Sequence, residues 1–189
     1  TYNLIKMTIS PKNSGWIEVI CGPMFSGKTE ELIRRLVRCQ YAKQKVTIFK
    51  PSLDDRYSED YIVSHNQRKI KSIIIKESKE ILELENNSDV IGIDEAQFCD
   101  DELINIANSL AKSGKRIVIA GLDKDYMGKS FGPIKQLMVD AEYVSKVNAI
   151  CMSCGDPASF SQRISTEKDL VVVGETDKYE ARCRKCFQL

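Results

Sequence analysis

The sequence predicts an α/β fold: a parallel sheet flanked by helices, with a small cysteine-bearing module at the C-terminal end. Three observations carry this. Strand-like and helix-like segments alternate along the chain. The strand candidates are continuously apolar, as in Ile73-Ile74-Ile75 and Val90-Ile91-Gly92-Ile93, the pattern of strands buried on both faces. The first strand runs into a glycine-bearing loop, Gly22-Pro23-Met24-Phe25-Ser26-Gly27-Lys28-Thr29, and a helix follows it.

Residues 16–21 read as the first strand. Residues 29–42 read as a helix, with Leu32, Ile33, Leu36 and Val37 on one apolar stripe and Glu30, Arg34, Arg35 and Arg38 on the wet side. A second strand over 45–49 is halted by Pro51. From there to about Lys71 the chain is polar and predicts no element, and a stretch of that kind points to function or disorder. Further strands are expected at 72–75, 90–94, 116–120 and 143–147, and helices at 78–85, 100–113 and 132–139. The helix over 100–113 is the clearest: Leu103, Ile104, Ala107, Leu110 and Ala111 share a face, and Gly114 is its stop signal. After Ile150 the composition turns to cysteine, glycine and charge. The expected division is therefore a polar N-terminal segment 1–15, a main α/β domain 16–149 and a small module 150–189.

The chain has 189 residues, 42% apolar and 29% charged, which suits one well-buried core plus an appendage. Its net charge of +1 argues against a nucleic-acid or membrane surface. No apolar run approaches the roughly 20 residues of a membrane span. Residues 1–15 lack the apolar stretch of a signal peptide, so the expected compartment is the cytoplasm.

The loop at 22–29 has the chemistry of a phosphate cradle. Gly22 and Gly27 permit tight backbone geometry that turns N–H groups inward, and the helix that follows adds the positive end of its dipole. Lys28 would sit on the β- and γ-phosphate oxygens of ATP, and the Thr29 hydroxyl would ligate Mg²⁺. Asp94-Glu95 follow a buried strand. Asp94 there can hold Mg²⁺, and Glu95 can take a proton from whatever attacks the γ-phosphorus. A dipole-stabilised surface pair is the plainer reading of the same two residues. The attacker, water or a substrate hydroxyl, separates an ATPase from a kinase.

Seven cysteines make an odd count, which argues against a closed disulfide framework. Cys151-x2-Cys154 and Cys183-x2-Cys186 have the spacing of two zinc knuckles, giving four thiolates and no open position, hence a structural Zn²⁺. The intervening 155–182 shows no basic–aromatic interleaving of the kind that binds nucleic acid. The zinc would instead pin the ends of a long loop able to fold over a small ligand. Arg56 reads equally as a phosphate ligand or a surface arginine, and His65 as a structural histidine. Phe98, Tyr126, Phe131 and Tyr179 sit in or beside predicted loops, as core residues or as rings that sandwich a base.

Taken together, G-P-M-F-S-G-K-T at 22–29, I-G-I-D-E-A-Q-F at 91–98, F-G-P at 131–133, the two knuckles and G-E-T-D-K-Y at 174–179 resemble the cytosolic, zinc-containing thymidine kinase family. The resemblance runs from about Gly15 to Phe187. It implies a RecA-like sheet and transfer of the γ-phosphate of Mg-ATP to the 5′-hydroxyl of thymidine, and of deoxyuridine, in pyrimidine salvage. Glu95 would be the base, Arg56 would bind phosphate near the acceptor, and Asp94 and Gln97 would support Mg²⁺. Met24, Phe98, Tyr126, Phe131 and Tyr179 would line the nucleoside pocket. Residues 161–172, with Ser161, Leu170 and Val172, would form a lasso that reads the pyrimidine through backbone groups. Members are commonly homotetramers inhibited by dTTP. Tyr126 stands where many members have phenylalanine. A zinc-ribbon, nucleic-acid-dependent ATPase is the competing expectation, and it calls for a basic stripe that the chain lacks.

Overall fold

The structure is a computed structural model that describes residues 14–52, 61–63, 69–165 and 178–188. Arg56, His65, Leu170 and Val172 lie outside the described residues.

Six strands form the main sheet: β1 (Trp16–Gly22), β2 (Val46–Pro51), β5 (Ile73–Ile75), β6 (Val90–Ile93), β7 (Arg116–Leu122) and β8 (Tyr143–Lys146). Their order is β5-β2-β6-β7-β1-β8, and every pairing is parallel. All C-terminal strand ends therefore lie along one edge, where open α/β sheets bind ligands. Helix α1 (Lys28–Tyr41) covers one face, packing Leu32, Ile33, Leu36 and Cys39 on Ile20, Ile48, Val90, Val118 and Ala120. Helices α2 (Glu80–Leu84), α3 (Glu102–Lys112) and α4 (Ile134–Asp140) cover the other, over Ile17, Val19, Ile91, Ile93, Ile117 and Ile119. Both faces are thus apolar, which is why the strands read as unbroken hydrophobic runs.

Two details depart from the expected elements. The polar stretch before Lys71 contains an antiparallel hairpin, β3 (Tyr61–Val63) with β4 (Lys69–Lys71), and Ile62 is buried against the α1 face of the core. Each of its strands is only three residues long, too short to show a period. In α3 the buried residues are Leu103, Ile106, Ala107, Leu110 and Ala111, while Ile104 is only partly buried.

The C-terminal part forms two small antiparallel pairs, β9 (Ala149–Ile150) with β10 (Pro157–Ala158) and β11 (Phe160–Arg163) with β12 (Tyr179–Arg182). Tyr179 opens β12 and is buried, a strand residue paired with Arg163. A small core of Ala149, Cys151, Ala158, Ala181 and Cys183 holds the pairs together, and Phe25 of the main domain packs against it.

Candidate active site

β1 ends at Gly22, where φ is 152° and an added Cβ would stand 2.1 Å from the Val147 carbonyl oxygen. Gly27 faces open space but has φ 78°, so conformation alone explains that glycine. No side chain caps α1 at Gly27, which leaves its first-turn amides for a ligand. Ser26 Oγ and Lys28 Nζ each donate to the Pro23 carbonyl at 2.7 Å. Burial pushes the Lys28 ammonium pKa down, opposed by the charges of Glu95, Asp94 and Asp123. A buried cation facing carboxylates is the electrostatic setting for a polyphosphate and its counter-ion.

Asp94 follows β6 directly and is buried. Burial raises its pKa, and the neighbouring Glu95 charge raises it further, against the Thr29 hydroxyl and Lys28. Such a site favours a cation. Thr29 Oγ1 donates to Asp94 Oδ1 at 3.3 Å. Adjacent ligands of an octahedral Mg²⁺ stand about 3 Å apart, so the pair fits that ion. Glu95 has φ 52°, a left-handed conformation rare for a residue with a side chain. Gln97, itself buried, donates from Nε2 to Glu95 Oε2 at 2.5 Å and accepts the Leu122 N–H at 2.9 Å. It therefore aims the Glu95 carboxylate, in the surroundings of the Asp94–Thr29 pair where the resemblance expects Mg²⁺. The F-G-P motif has a physical reason here: Gly132 has φ 53°, and a Cβ there would meet the Gln97 carbonyl oxygen at 2.2 Å.

The rings expected around a base fall into two groups. Phe98 and Phe131 meet edge to face, with centroids 5.4 Å apart. Tyr126 and Tyr179 are joined by Arg163, which the sequence reading missed. Its guanidinium lies 3.6 Å from the Tyr126 ring centroid and 5.4 Å from that of Tyr179, and it donates to the Tyr179 hydroxyl at 2.8 Å. Ser161 Oγ accepts the Met24 N–H at 3.0 Å, joining β11 to the cradle. Also missed was Asp123, at the end of β7, which pairs with Lys146 at 2.6 Å and Lys124 at 3.4 Å. Its signal was available: the charges of G-L-D-K-D-Y at 121–126 directly follow a buried strand, as Asp94-Glu95 do.

Cys151, Cys154, Cys183 and Cys186 hold all four sulfurs within 4.8 Å of one another. Cys154 Sγ and Cys183 Sγ are 3.6 Å apart, far beyond a disulfide bond and close to the roughly 3.8 Å edge of a tetrahedron with 2.3 Å Zn–S bonds. The set fits a structural Zn²⁺. Each knuckle closes with backbone bonds to its first cysteine, from Gly155 N to Cys151 O at 2.9 Å and from Phe187 N to Cys183 O at 3.0 Å.

A parallel α/β sheet with a phosphate cradle after β1 and a carboxylate pair after β6 defines a P-loop nucleotide enzyme. The thymidine kinase family model matches residues 15–187, and this chain belongs to that family. A thymidine kinase from Rhodothermus sp. (strain ITI 518) is 55% identical over 174 residues, covering 92% of this chain and 82% of that protein. Thymidine kinases from Bacteroides thetaiotaomicron and Bacteroides fragilis are 54% and 53% identical, covering 93% and 94% of this chain and 88% and 89% of their own lengths. Among solved structures, domain III of the Thermotoga maritima replication initiation protein DnaA aligns with a TM-score of 0.40 at 20% identity. It covers 70% of this chain and 55% of that one, a likeness too low to carry an argument. No helix among the described residues is long and apolar enough to cross a membrane.

Proposed function

We propose that this chain transfers the γ-phosphoryl group of Mg-ATP to the 5′-hydroxyl of thymidine, and of deoxyuridine, giving the 5′-monophosphate and ADP. The observation that carries the reading is the aimed carboxylate. Glu95 is held in a left-handed turn by Gln97, next to the Asp94–Thr29 pair and the cradle lysine. In this reading Glu95 accepts the 5′-hydroxyl proton while the sugar oxygen bonds to the γ-phosphorus. The bond from that phosphorus to its bridging oxygen breaks, and ADP leaves with the electron pair. Lys28 and the first-turn amides of α1 meet the charge on the phosphate oxygens, and Arg56 adds a cation near the acceptor. Bound Mg²⁺ would neutralise phosphate charge from Thr29 and Asp94, and bound Zn²⁺ would tie the two knuckles together.

The nucleoside would lie among Met24, Phe98, Phe131, Tyr126 and Tyr179. The 150–189 module would close over it through the 161–172 segment, where Leu170 and Val172 complete the pocket. dTTP would inhibit by occupying the same site. The chain would work in the cytoplasm as a homotetramer, and light scattering should then give four times the 21.4 kDa chain. A nucleic-acid-dependent ATPase is not favoured by the family to which the chain belongs.

The test is phosphate transfer from labelled ATP with Glu95→Gln. The expected loss in kcat is roughly 10²- to 10⁴-fold, with Mg-ATP still bound. Turnover close to that of the unaltered enzyme would remove Glu95 as the base.

A further inference from the structure

The main sheet sets three strand ends side by side at its ligand edge. β1 leads into the cradle, β6 leads into Asp94-Glu95, and β7 is hydrogen-bonded between them. The residue that follows β7 is therefore flanked by both halves of the nucleotide site. It is Asp123, a carboxylate that the proposed reaction does not use.

Asp123 is fixed from both sides. The Leu122 N–H before it is held by Gln97 Oε1 at 2.9 Å, and its own carbonyl accepts the Phe131 N–H at 3.3 Å. The residue is 7% exposed. Its Oδ2 accepts Lys146 Nζ at 2.6 Å and Lys124 Nζ at 3.4 Å. Oδ1 is buried and finds no hydrogen-bond partner among the described residues. An acceptor buried without a donor is costly, and one that persists calls for a partner the chain does not supply.

The neighbours of Asp123 say where that partner comes from. Burial pushes up the pKa of the Cys21 thiol, just before Gly22, and the Asp123 charge is the next largest cause. The same charge acts on the cradle lysine together with Glu95 and Asp94. Asp123 thus stands within electrostatic reach of the start of the loop and of Lys28, on the edge that carries the Asp94–Thr29 pair. A carboxylate there repels phosphate. Among the groups that arrive with ATP, the waters of Mg²⁺ are donors held beside the phosphates, and the metal keeps several of them when bound.

We infer that Asp123 is a third carboxylate of the Mg-nucleotide site, with Oδ1 accepting a hydrogen bond from a water on the metal. Lys146 and Lys124 balance its charge from the other oxygen. The inference rests on the cradle being the Mg-ATP site.

Wild type, Asp123→Asn and Lys146→Gln, each as the zinc-loaded full chain, are titrated by calorimetry with a non-hydrolysable ATP analogue, in magnesium-free buffer and again with Mg²⁺. The reading is the factor by which Mg²⁺ tightens binding. Loss of a hydrogen bond to a charged group predicts that Asp123→Asn cuts this factor roughly ten- to hundredfold. Metal-free affinity stays at the wild-type value or rises, since a negative charge leaves the neighbourhood of the phosphates. Lys146→Gln breaks the ion pair but keeps the carboxylate, and so keeps the factor. Three results would overturn the inference: an unchanged factor in Asp123→Asn, an equal loss with and without Mg²⁺, or the same cut in Lys146→Gln. A crystal of the unaltered chain with Mn²⁺ and the analogue gives a check that needs no variant. Mn²⁺, located by its anomalous scattering, should lie about 4–4.5 Å from Asp123 Oδ1 with one water between them, and a separation too wide for one water refutes the inference. Wild-type binding that Mg²⁺ does not tighten would instead sink the reading of the cradle, a failure seen before any variant is compared.

Discussion

At the scale of single residues, the site depends on side chains that hold others in place. Glu95 accepts a backbone conformation costing about 1–3 kcal/mol, and Gln97 and the 3-10 turn at Ala96–Phe98 sustain it. Arg163 does the same for a pair of rings. It is 9% exposed, stacks on Tyr126 and bonds the Tyr179 hydroxyl, so its removal frees both rings from one another. A desolvated cation–π contact contributes about 2 kcal/mol, and a hydrogen bond from a charged donor about 1.5–3 kcal/mol. Arg163→Met keeps much of the volume and discards both interactions. It should raise KM for thymidine about tenfold or more while leaving KM for ATP alone. Steady-state kinetics with each substrate varied in turn check this, and an unchanged thymidine KM would show that the rings are positioned by other contacts.

At the scale of elements, β1 carries a charge in its buried run. Glu18 is 6% exposed and receives Arg116 at 2.7 Å, Arg35 at 2.8 Å and the Trp16 indole N–H at 2.7 Å. Burial alone would raise the Glu18 pKa, but the hydrogen bonds from Arg116 and Trp16 and the two guanidinium charges outweigh it and hold the carboxyl below its ordinary range. A depressed carboxylate pKa means stability that is fully present above the unfolded-state value and lost as pH falls through the folded-state value. Thermal melting of wild type should therefore weaken only below the ordinary glutamate range. Glu18→Gln should be less stable at neutral pH by about 2–3 kcal/mol, because two partly buried arginines lose their counter-charge, and should lose part of that acid-side slope. An acid-side slope identical to wild type would refute the assignment. The strand itself was legible as an apolar run. Its ion network was not, because Arg35 and Arg116 lie on other elements, 17 and 98 residues away. The β3–β4 hairpin escaped for another reason, since three-residue strands give no countable alternation.

At the scale of the molecule, the parts that were legible are contiguous in sequence. The cradle, Asp94-Glu95 and each knuckle are short motifs whose chemistry needs neighbours at fixed spacing. Arg163 and Asp123 needed the fold, because Tyr126, Arg163 and Tyr179 meet only when the loop after β7 lies against the β11–β12 pair. The same distinction predicts how the chain comes apart. Strands of two to four residues do not stand alone in water, and the C-terminal pairs share only a small core, so Zn²⁺ held by the four cysteines would add much of their stability, while the six-stranded sheet has its own core. Chelating Zn²⁺ should expose the backbone of β9–β12 to rapid hydrogen exchange, with β1 and β7 still protected. Uniform loss of protection would mean that the two parts unfold as one.

The lysine of the cradle, finally, shares its acceptor. Lys28 Nζ and Ser26 Oγ both donate to the Pro23 carbonyl, each at 2.7 Å. One main-chain oxygen thus tethers two donors three and five positions downstream, and a change that tilted this single peptide would misplace both at once.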